Sequence, residues 1–281
     1  MYDNSSLQTY KNCPEQYRLK YIEQLRKREE GISEHDRNFG KAIHSGLESF
    51  YKGGSIESVR EYFKDCYPNQ LSEEDQAKTK ENGIILLEAY IKHYQEEDKK
   101  WTIKAVEVTD TFEIAPGVLF TVKIDLVVEQ QGCIYFVDHK TTGKAFNWNY
   151  WGQFEPNSQI TAYTAYCQAK FGECSGGIIN ALQLGHRTRA YKGEPAGFHY
   201  AFQRQLFNRN RHQIEAWKQD TLLWIKSLEE AKQDTSNVWR KNEGQCRFCS
   251  YQAVCISVND EQVKEQLYEK HNAEEYLDVN N

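Results

Sequence analysis

The sequence predicts an α/β fold, with a central mixed sheet flanked by helices, an N-terminal helical region and a C-terminal cysteine arm. Three observations lead there. Apolar residues keep helical spacing through the first third, and the period changes to strand-like at Trp101. Helical and strand patterns then alternate up to a cluster of cysteines.

In SSLQTYKNCPEQYRLKYI, Ser5 or Ser6 is a candidate cap for a helix carrying Leu7, Tyr10, Tyr17 and Tyr21. A second helix is expected through GKAIHSGLESFY. A third runs through ENGIILLEAYIKHYQ, where Ile84, Leu87, Tyr90, Ile91 and Tyr94 share a face. TIKAVEVTDTFEI, VLFTVKIDLVVE and CIYFVDHKTT are rich in β-branched and aromatic residues, with turn signals at Pro116-Gly117 and Gln131-Gly132. They are expected as consecutive antiparallel strands. NSQITAYTAYCQAKFG reads as a helix stopped by Gly172, and GGIINALQL as an apolar strand. RNRHQIEAWKQDTLLWIKSLEEAKQ reads as a long helix before the cysteines. No break in composition forces two domains. One domain over 1–281 is expected, helical over 1–100, with the core over 101–235 and the arm and tail over 236–281.

The 281 residues are 39% hydrophobic and 27% charged, ordinary for a soluble protein and enough for a substantial core. There is no apolar run long enough to cross a membrane, and the polar start MYDNSSLQTYKNCPEQYRLKY has no secretory signal core. A cytoplasmic protein is expected, whose eight cysteines are thiols or metal ligands rather than a disulfide framework. The net charge of −6 argues weakly against a nucleic-acid partner, but the stretch from Ile256 onward supplies −5 of it. Between His186 and Arg211, Arg187, Arg189, Lys192, Arg204, Arg209 and Arg211 stand against Glu194. Such a patch suits phosphates or a solvated face equally. Tyr191, Phe198, Tyr200 and Phe202 beside it suit stacking on unpaired bases or a place in the core.

Asp125 in VKIDLVV and Asp138 in YFVDHKTT sit inside otherwise apolar strands. A buried carboxylate needs a partner, and two on adjacent strands repel unless a cation bridges them. A hard divalent ion such as magnesium suits oxygen ligands. Lys140, two residues beyond Asp138, points to the same face of the strand, where an ammonium could hold an attacking water or stabilise phosphate charge. Taken singly, D-x-K reads equally as a strand-end salt bridge, His44 as a satisfied histidine, and Gln159 with Tyr163 as a local helix pair. In CRFCSYQAVC, Cys246, Cys249 and Cys255 offer three thiolates where metal sites close with four.

Read in order, these segments resemble the RecB-like branch of the PD-(D/E)XK nuclease superfamily. SSLQTYKNCPEQYRLKYI is similar to its N-terminal signature, GKAIHSGLE to its metal-binding histidine helix and KIDLVV to the strand of its first catalytic acid. VDHKTTG is similar to the D-x-K strand and QITAY to the Q-x-x-x-Y helix. CRFCSYQAVC resembles the arm of the iron–sulfur members, among them the CRISPR-associated adaptation nuclease and the AddB nuclease domain. The resemblance implies a restriction-endonuclease-like core. It implies His44, Asp125, Asp138 and the backbone carbonyl of His139 as ligands of Mg2+ or Mn2+. Lys140 would orient or activate water, Gln159 would order the site, and Tyr163 would lie near the DNA strand or support its helix. Glu107 is a looser match to a further family acid, because Glu113 lies close by.

The resemblance also implies that Cys13 joins Cys246, Cys249 and Cys255 around a 4Fe–4S cluster, joining the N-terminal helix to the C-terminal arm. Zinc on the same thiolates is the alternative. The expected function is a metal-dependent deoxyribonuclease, an exonuclease preferring single strands or DNA ends. A DNA-binding recombination scaffold and a zinc-binding interaction module are the other classes. No G-x-x-x-x-G-K-[ST] loop occurs, so the chain has no helicase motor of its own. A homo-oligomer, or a helicase or integrase partner, is compatible with the pattern, and no membrane partner is expected.

Overall fold

The computed structural model describes residues 2–28, 31–67, 76–190, 193, 195–236 and 238–271. Tyr191, Lys192 and Glu194, and the acidic stretch from residue 272, lie outside the described residues. The chain begins with β1 (Tyr2–Asp3), α1 (Asn4–Asn12), α2 (Pro14–Tyr17), a π-helical turn (Arg18–Ile22) and β2 (Leu25–Lys27). Three longer helices follow, α3 (Gly31–Tyr51), α4 (Ile56–Cys66) and α5 (Lys80–Asp98). Then come β3 (Thr102–Ala115), β4 (Val118–Gln130), β5 (Cys133–Thr142), α6 (Trp148–Gly152) and α7 (Ser158–Phe171). The chain continues through β6 (Cys174–Arg187), β7 (Gly197–Asn208), α8 (Arg211–Gln233) and a 3-10 turn (Glu243–Phe248). It ends in α9 (Gln252–Ile256), α10 (Glu261–Leu267) and β8 (Tyr268–Lys270).

Two compact units emerge from these elements. One comprises 1–31, 113–121 and 215–281, the other 32–112 and 122–214. In the second unit the strands follow the order β4-β5-β6-β7, with β3 also on β4. β4 with β5 and β6 with β7 are antiparallel, whereas β5 and β6 are parallel, so the sheet is mixed as expected. Alternation along β5 sends successive side chains to opposite faces. Val137 joins the core of Phe39, Ile43 and Leu47 from α3 with Leu86, Leu87 and Tyr90 from α5. Phe136 instead meets Tyr163 of α7 edge-on at 5.4 Å. A Cβ on Gly177 of β6 would come within 2.3 Å of the Phe136 ring, so that strand needs glycine for the ring to lie across it. Each large apolar side chain buried in this way contributes roughly 1.5–3 kcal/mol.

β7 is an element the sequence reading did not assign. It pairs with β6 from Arg187↔Gly197 to Gly176↔Asn208. Only Phe207 of its residues is buried, the others being half-buried or exposed, and Arg204 stands in the row of Phe198, Tyr200 and Phe202, so period-two alternation of polarity is blurred. α7 does stop at Gly172, whose φ of 105° suits glycine.

In the first unit, the cap of α1 is Asp3, which accepts from the Ser6 amide at 2.9 Å, rather than Ser5 or Ser6. The single helix expected to reach Tyr21 is broken at Cys13, which is extended (φ −162°, ψ 111°). Pro14 causes the break, because a residue before proline is forced out of the helical region. β2 and β8 pair antiparallel, and Leu19, Leu25, Tyr251, Val254 and Tyr268 form a small core beside them.

Candidate metal centre and cysteine site

The second unit builds an acidic centre where β4 and β5 stop pairing. Their register runs from Gln130↔Cys133 to Leu126↔Val137. Just beyond that pair, the His139 amide donates to the Asp125 side chain, Oδ2, at 2.7 Å, so a carboxylate accepts this main-chain donor. Asp125 is 3% and Asp138 2% exposed. Asp125 Oδ1 lies 3.3 Å from His44 Nδ1 of α3. Apart from that imidazole Asp125 Oδ1 has no hydrogen-bond partner, and Asp138 Oδ1 has none at all, an arrangement that burial penalises unless a cation fills it. Lys140 Nζ stands 2.9 Å from Asp138 Oδ2. The salt bridge that was the plain reading of D-x-K is therefore present within the site.

The tightest ligand set among the described residues is His44, Glu107 and Asp125, whose ligand atoms lie within 4.8 Å of one another. Glu107 comes from β3 with φ 50°, a left-handed conformation that costs a non-glycine residue about 1–3 kcal/mol. The kink re-aims its carboxylate, as irregular strand positions often do next to sites. Glu113 accepts the Gly117 amide in the following turn. Strand parity could not separate Glu107 from Glu113, because six residues along a strand return to the same face. Sequence offered no signal for Tyr150 either. Its hydroxyl on α6 is buried without a partner, and burial and the Asp138 charge push its ionisation up to about 12.

Gln159 donates to Tyr163 Oη at 2.8 Å on α7. Burial and the Asp138 charge raise Tyr163 well above the ordinary tyrosine value. The start of α7 is held by Arg209, which reaches Thr161 Oγ1 at 3.0 Å and the Phe154 carbonyl at 2.8 Å. Arg204 is buried too, against Asp98. Two arginines of the basic segment are thus engaged inside the protein, which narrows the patch open to phosphates.

Charge is distributed unevenly in the centre. Burial alone would raise Asp125, but His44 outweighs it and holds this carboxyl well below its usual range. Burial and Asp125 raise Asp138 despite Lys140. Burial would lower Lys140, yet Asp138 and Asp125 keep it above its ordinary value, an ammonium. The His139 side chain is driven down to about 3 by burial and is neutral.

His44 is lowered by burial but raised more by Asp125, so it lies above 6.5. The stabilisation from this pair is complete below 6.5 and fades as pH rises through the raised value. Burial, then Asp125, push Glu107 from 4.5 up to about 7, so its charge becomes a cost to the fold between those values. Both effects weaken the metal-free fold at alkaline pH, and both free a ligand for a cation. Mn2+ is expected to raise the thermal midpoint more at about pH 8 than at about pH 6, with proton release on binding. Calorimetry in buffers of different ionisation heat measures that release, and equal effects at both pH values would contradict the assignment.

The first unit gathers the cysteines. Cys13 is 9% exposed at the helix break, and Cys246, Cys249 and Cys255 are half-buried free thiols. Burial raises Cys249, as do the nearby Cys13 and Cys246. Burial raises Cys255 as well, with Glu15, Cys249 and Cys13 adding to it. The Asn242 amide donates to the Asn12 carbonyl at 2.8 Å and Glu15 N–H to Arg240 O at 3.0 Å, so hydrogen bonds flank the thiols.

The sequence pattern of the PD-(D/E)XK nuclease superfamily matches residues 4–256, a span containing every one of these side chains. The chain belongs to that superfamily. This PD-(D/E)XK nuclease is similar in fold to a candidate exonuclease from Eubacterium rectale, at TM-score 0.52 and 13% identity over 98% of this chain and 91% of that one. The solved structure of SSO0001 gives TM-score 0.30 and 12% identity over 79% of this chain and 84% of that one, too low to carry an argument. No curated protein matches the chain. Among the described residues, no helix of the nuclease is long and apolar enough to cross a membrane.

Proposed function

We propose that the chain is a metal-dependent deoxyribonuclease that hydrolyses phosphodiester bonds in single-stranded DNA or at DNA ends, with a structural 4Fe–4S cluster. The observation that carries the reading is the buried, unpartnered Asp138 Oδ1 beside the clustered ligand atoms of His44, Glu107 and Asp125. These groups suit a hard divalent ion. His44, Glu107, Asp125 and Asp138 would hold Mg2+ or Mn2+, with the His139 carbonyl as a further ligand. A bound ion would supply charge neutralisation at the phosphate and a more acidic water.

The chain's own groups do the rest. Lys140, an ammonium, donates to the attacking water or to a phosphate oxygen rather than acting as a base. Asp138 Oδ1, left open by the Lys140 bond to Oδ2, would be the oxygen that this carboxylate offers to the ion. Gln159 holds the Tyr163 hydroxyl and so fixes the polar face of α7 toward the carboxylates.

Cys13, Cys246, Cys249 and Cys255 would hold the cluster. Among the described residues, no three of their sulfurs come mutually within 4.8 Å. Four thiolates suit a 4Fe–4S cluster or tetrahedral zinc, and the resemblance of the cysteine arm to that of the iron–sulfur members favours the cluster. The description of the Eubacterium rectale protein supports an exonuclease in particular. Linear single strands labelled at either end, compared with circular single strands and with duplexes, test this. Shortening of linear strands with circles left intact is expected, and cut circles would replace the exonuclease reading with an endonuclease.

A further inference from the structure

Three adjacent strands place His139, Asn180 and Arg204 side by side, in the registers His139↔Asn180 and Asn180↔Arg204. Arg204 has an 8% exposed side chain and forks onto both oxygens of Asp98, the last residue of α5. Its guanidinium lies 3.6 Å from the Tyr94 ring centroid and 4.4 Å from that of Trp101. The Nη2 that holds Asp98 Oδ2 also reaches Tyr90 Oη at 2.7 Å and Tyr51 Oη at 3.4 Å, and Nε reaches Asn180 Oδ1 at 3.3 Å.

That last bond orients the amide. Arginine has no acceptor, so Asn180 must turn its oxygen to Arg204 and its NH2 to the other side. The NH2 donates to Tyr90 Oη at 2.9 Å and meets His139 Nδ1 at 2.6 Å. His139 Nδ1 is therefore the acceptor, and the imidazole proton sits on Nε2. The Tyr51 ring lies parallel to this imidazole at 5.7 Å, and its hydroxyl donates to Asp98 at 2.9 Å. Tyr51 is two turns along α3 from His44, on the same side of the helix. His139 also presents its amide to Asp125.

We propose that Arg204 is a positioning residue for the metal centre. Through Tyr51 it fixes the helix that carries His44, and through Asn180 and His139 it fixes the strand whose amide orients Asp125. One guanidinium thereby sets the spacing between ligands that come from separate elements. A buried, fully bonded polar layer is suited to this, because it specifies one geometry where apolar packing tolerates several. The inference rests on the reading of the acidic centre as a metal site.

The test uses the full chain with Arg204→Lys, which keeps the charge and loses the fork, and Asn180→Asp, which offers His139 Nδ1 only acceptors. Both are expected to weaken Mn2+ binding, measured by calorimetry without DNA, by about tenfold or more. Turnover per folded molecule is expected to fall similarly, with KM for single-stranded DNA within about twofold of wild type. In 15N-histidine NMR spectra, Asn180→Asp is expected to move the His139 proton from Nε2 to Nδ1. A lower thermal midpoint with Mn2+ affinity and turnover unchanged would overturn the proposal, leaving Arg204 a structural ion pair. If Arg204→Lys does not fold, Asn180→Asp decides by the same readouts. A wild-type protein that binds Mn2+ but leaves DNA intact would sink the nuclease reading and leave the binding comparison in force.

Discussion

Asp138→Asn and Asp138→Ala are expected to slow DNA cleavage by about 10²- to 10³-fold in Mg2+ or Mn2+ while leaving the protein folded. Burial makes the Asp138 charge costly, as its raised ionisation shows, so removing it relieves the apo protein even though Lys140 loses its partner. Asparagine keeps the shape and removes the charge, which separates lost chemistry from lost packing. Lys140→Ala is expected to fall as far, because the ammonium is the donor nearest Asp138. Glu107→Gln should weaken metal binding where Glu113→Gln does not, since only Glu107 shares a ligand set with His44 and Asp125. Rates on end-labelled single strands, together with thermal melting, check all of these. Wild-type cleavage by a folded Asp138→Ala protein would remove the active-site assignment.

Cys13→Ala is expected to cost both iron and stability. The purified wild-type protein should carry iron and inorganic sulfide, and the variant should lose them, with a thermal midpoint lower by about 4 °C or more. The variant should nevertheless retain secondary structure. Within the first unit, β2 pairs with β8, the Tyr251 hydroxyl donates to the Leu25 carbonyl at 2.7 Å, and Arg18 donates to Asn259 Oδ1 at 2.9 Å. These contacts already join the two chain ends without a cluster. Cys66 and Cys133 are exposed and serve as controls, so Cys66→Ser and Cys133→Ser should keep iron content and midpoint. A Cys13→Ala protein with full iron content would break the four-cysteine assignment, and stoichiometric zinc without iron in the wild type would replace the cluster.

Much of the site could be read from local pattern. Asp125, Asp138 and Lys140 announce themselves as charges in apolar strands, and the two-residue spacing of Asp138 and Lys140 matches the 2.9 Å pair that forms. Gly172 stops its helix because only glycine adopts that backbone cheaply. β7 escaped, since the alternation that marks a strand depends on one face being buried, and only Phe207 of its residues is buried. Arg204 and Arg209 read as members of a basic patch, since nothing local shows that an arginine will find Asp98 or a row of carbonyls far along the chain.

The sequence by itself determined the helix and strand periods, the carboxylate–lysine constellation and the presence of a proline behind Cys13. Those are local properties, fixed by backbone sterics and side-chain spacing. Only the tertiary structure decided that Glu107 rather than Glu113 joins His44 and Asp125, that Tyr150 turns an unpartnered hydroxyl inward, and that Arg204 lies in one row with Asn180 and His139. Glu107 owes its place to a single left-handed residue and the Arg204 row to strand register, which is set by how whole strands pack their faces rather than by any short stretch of chain.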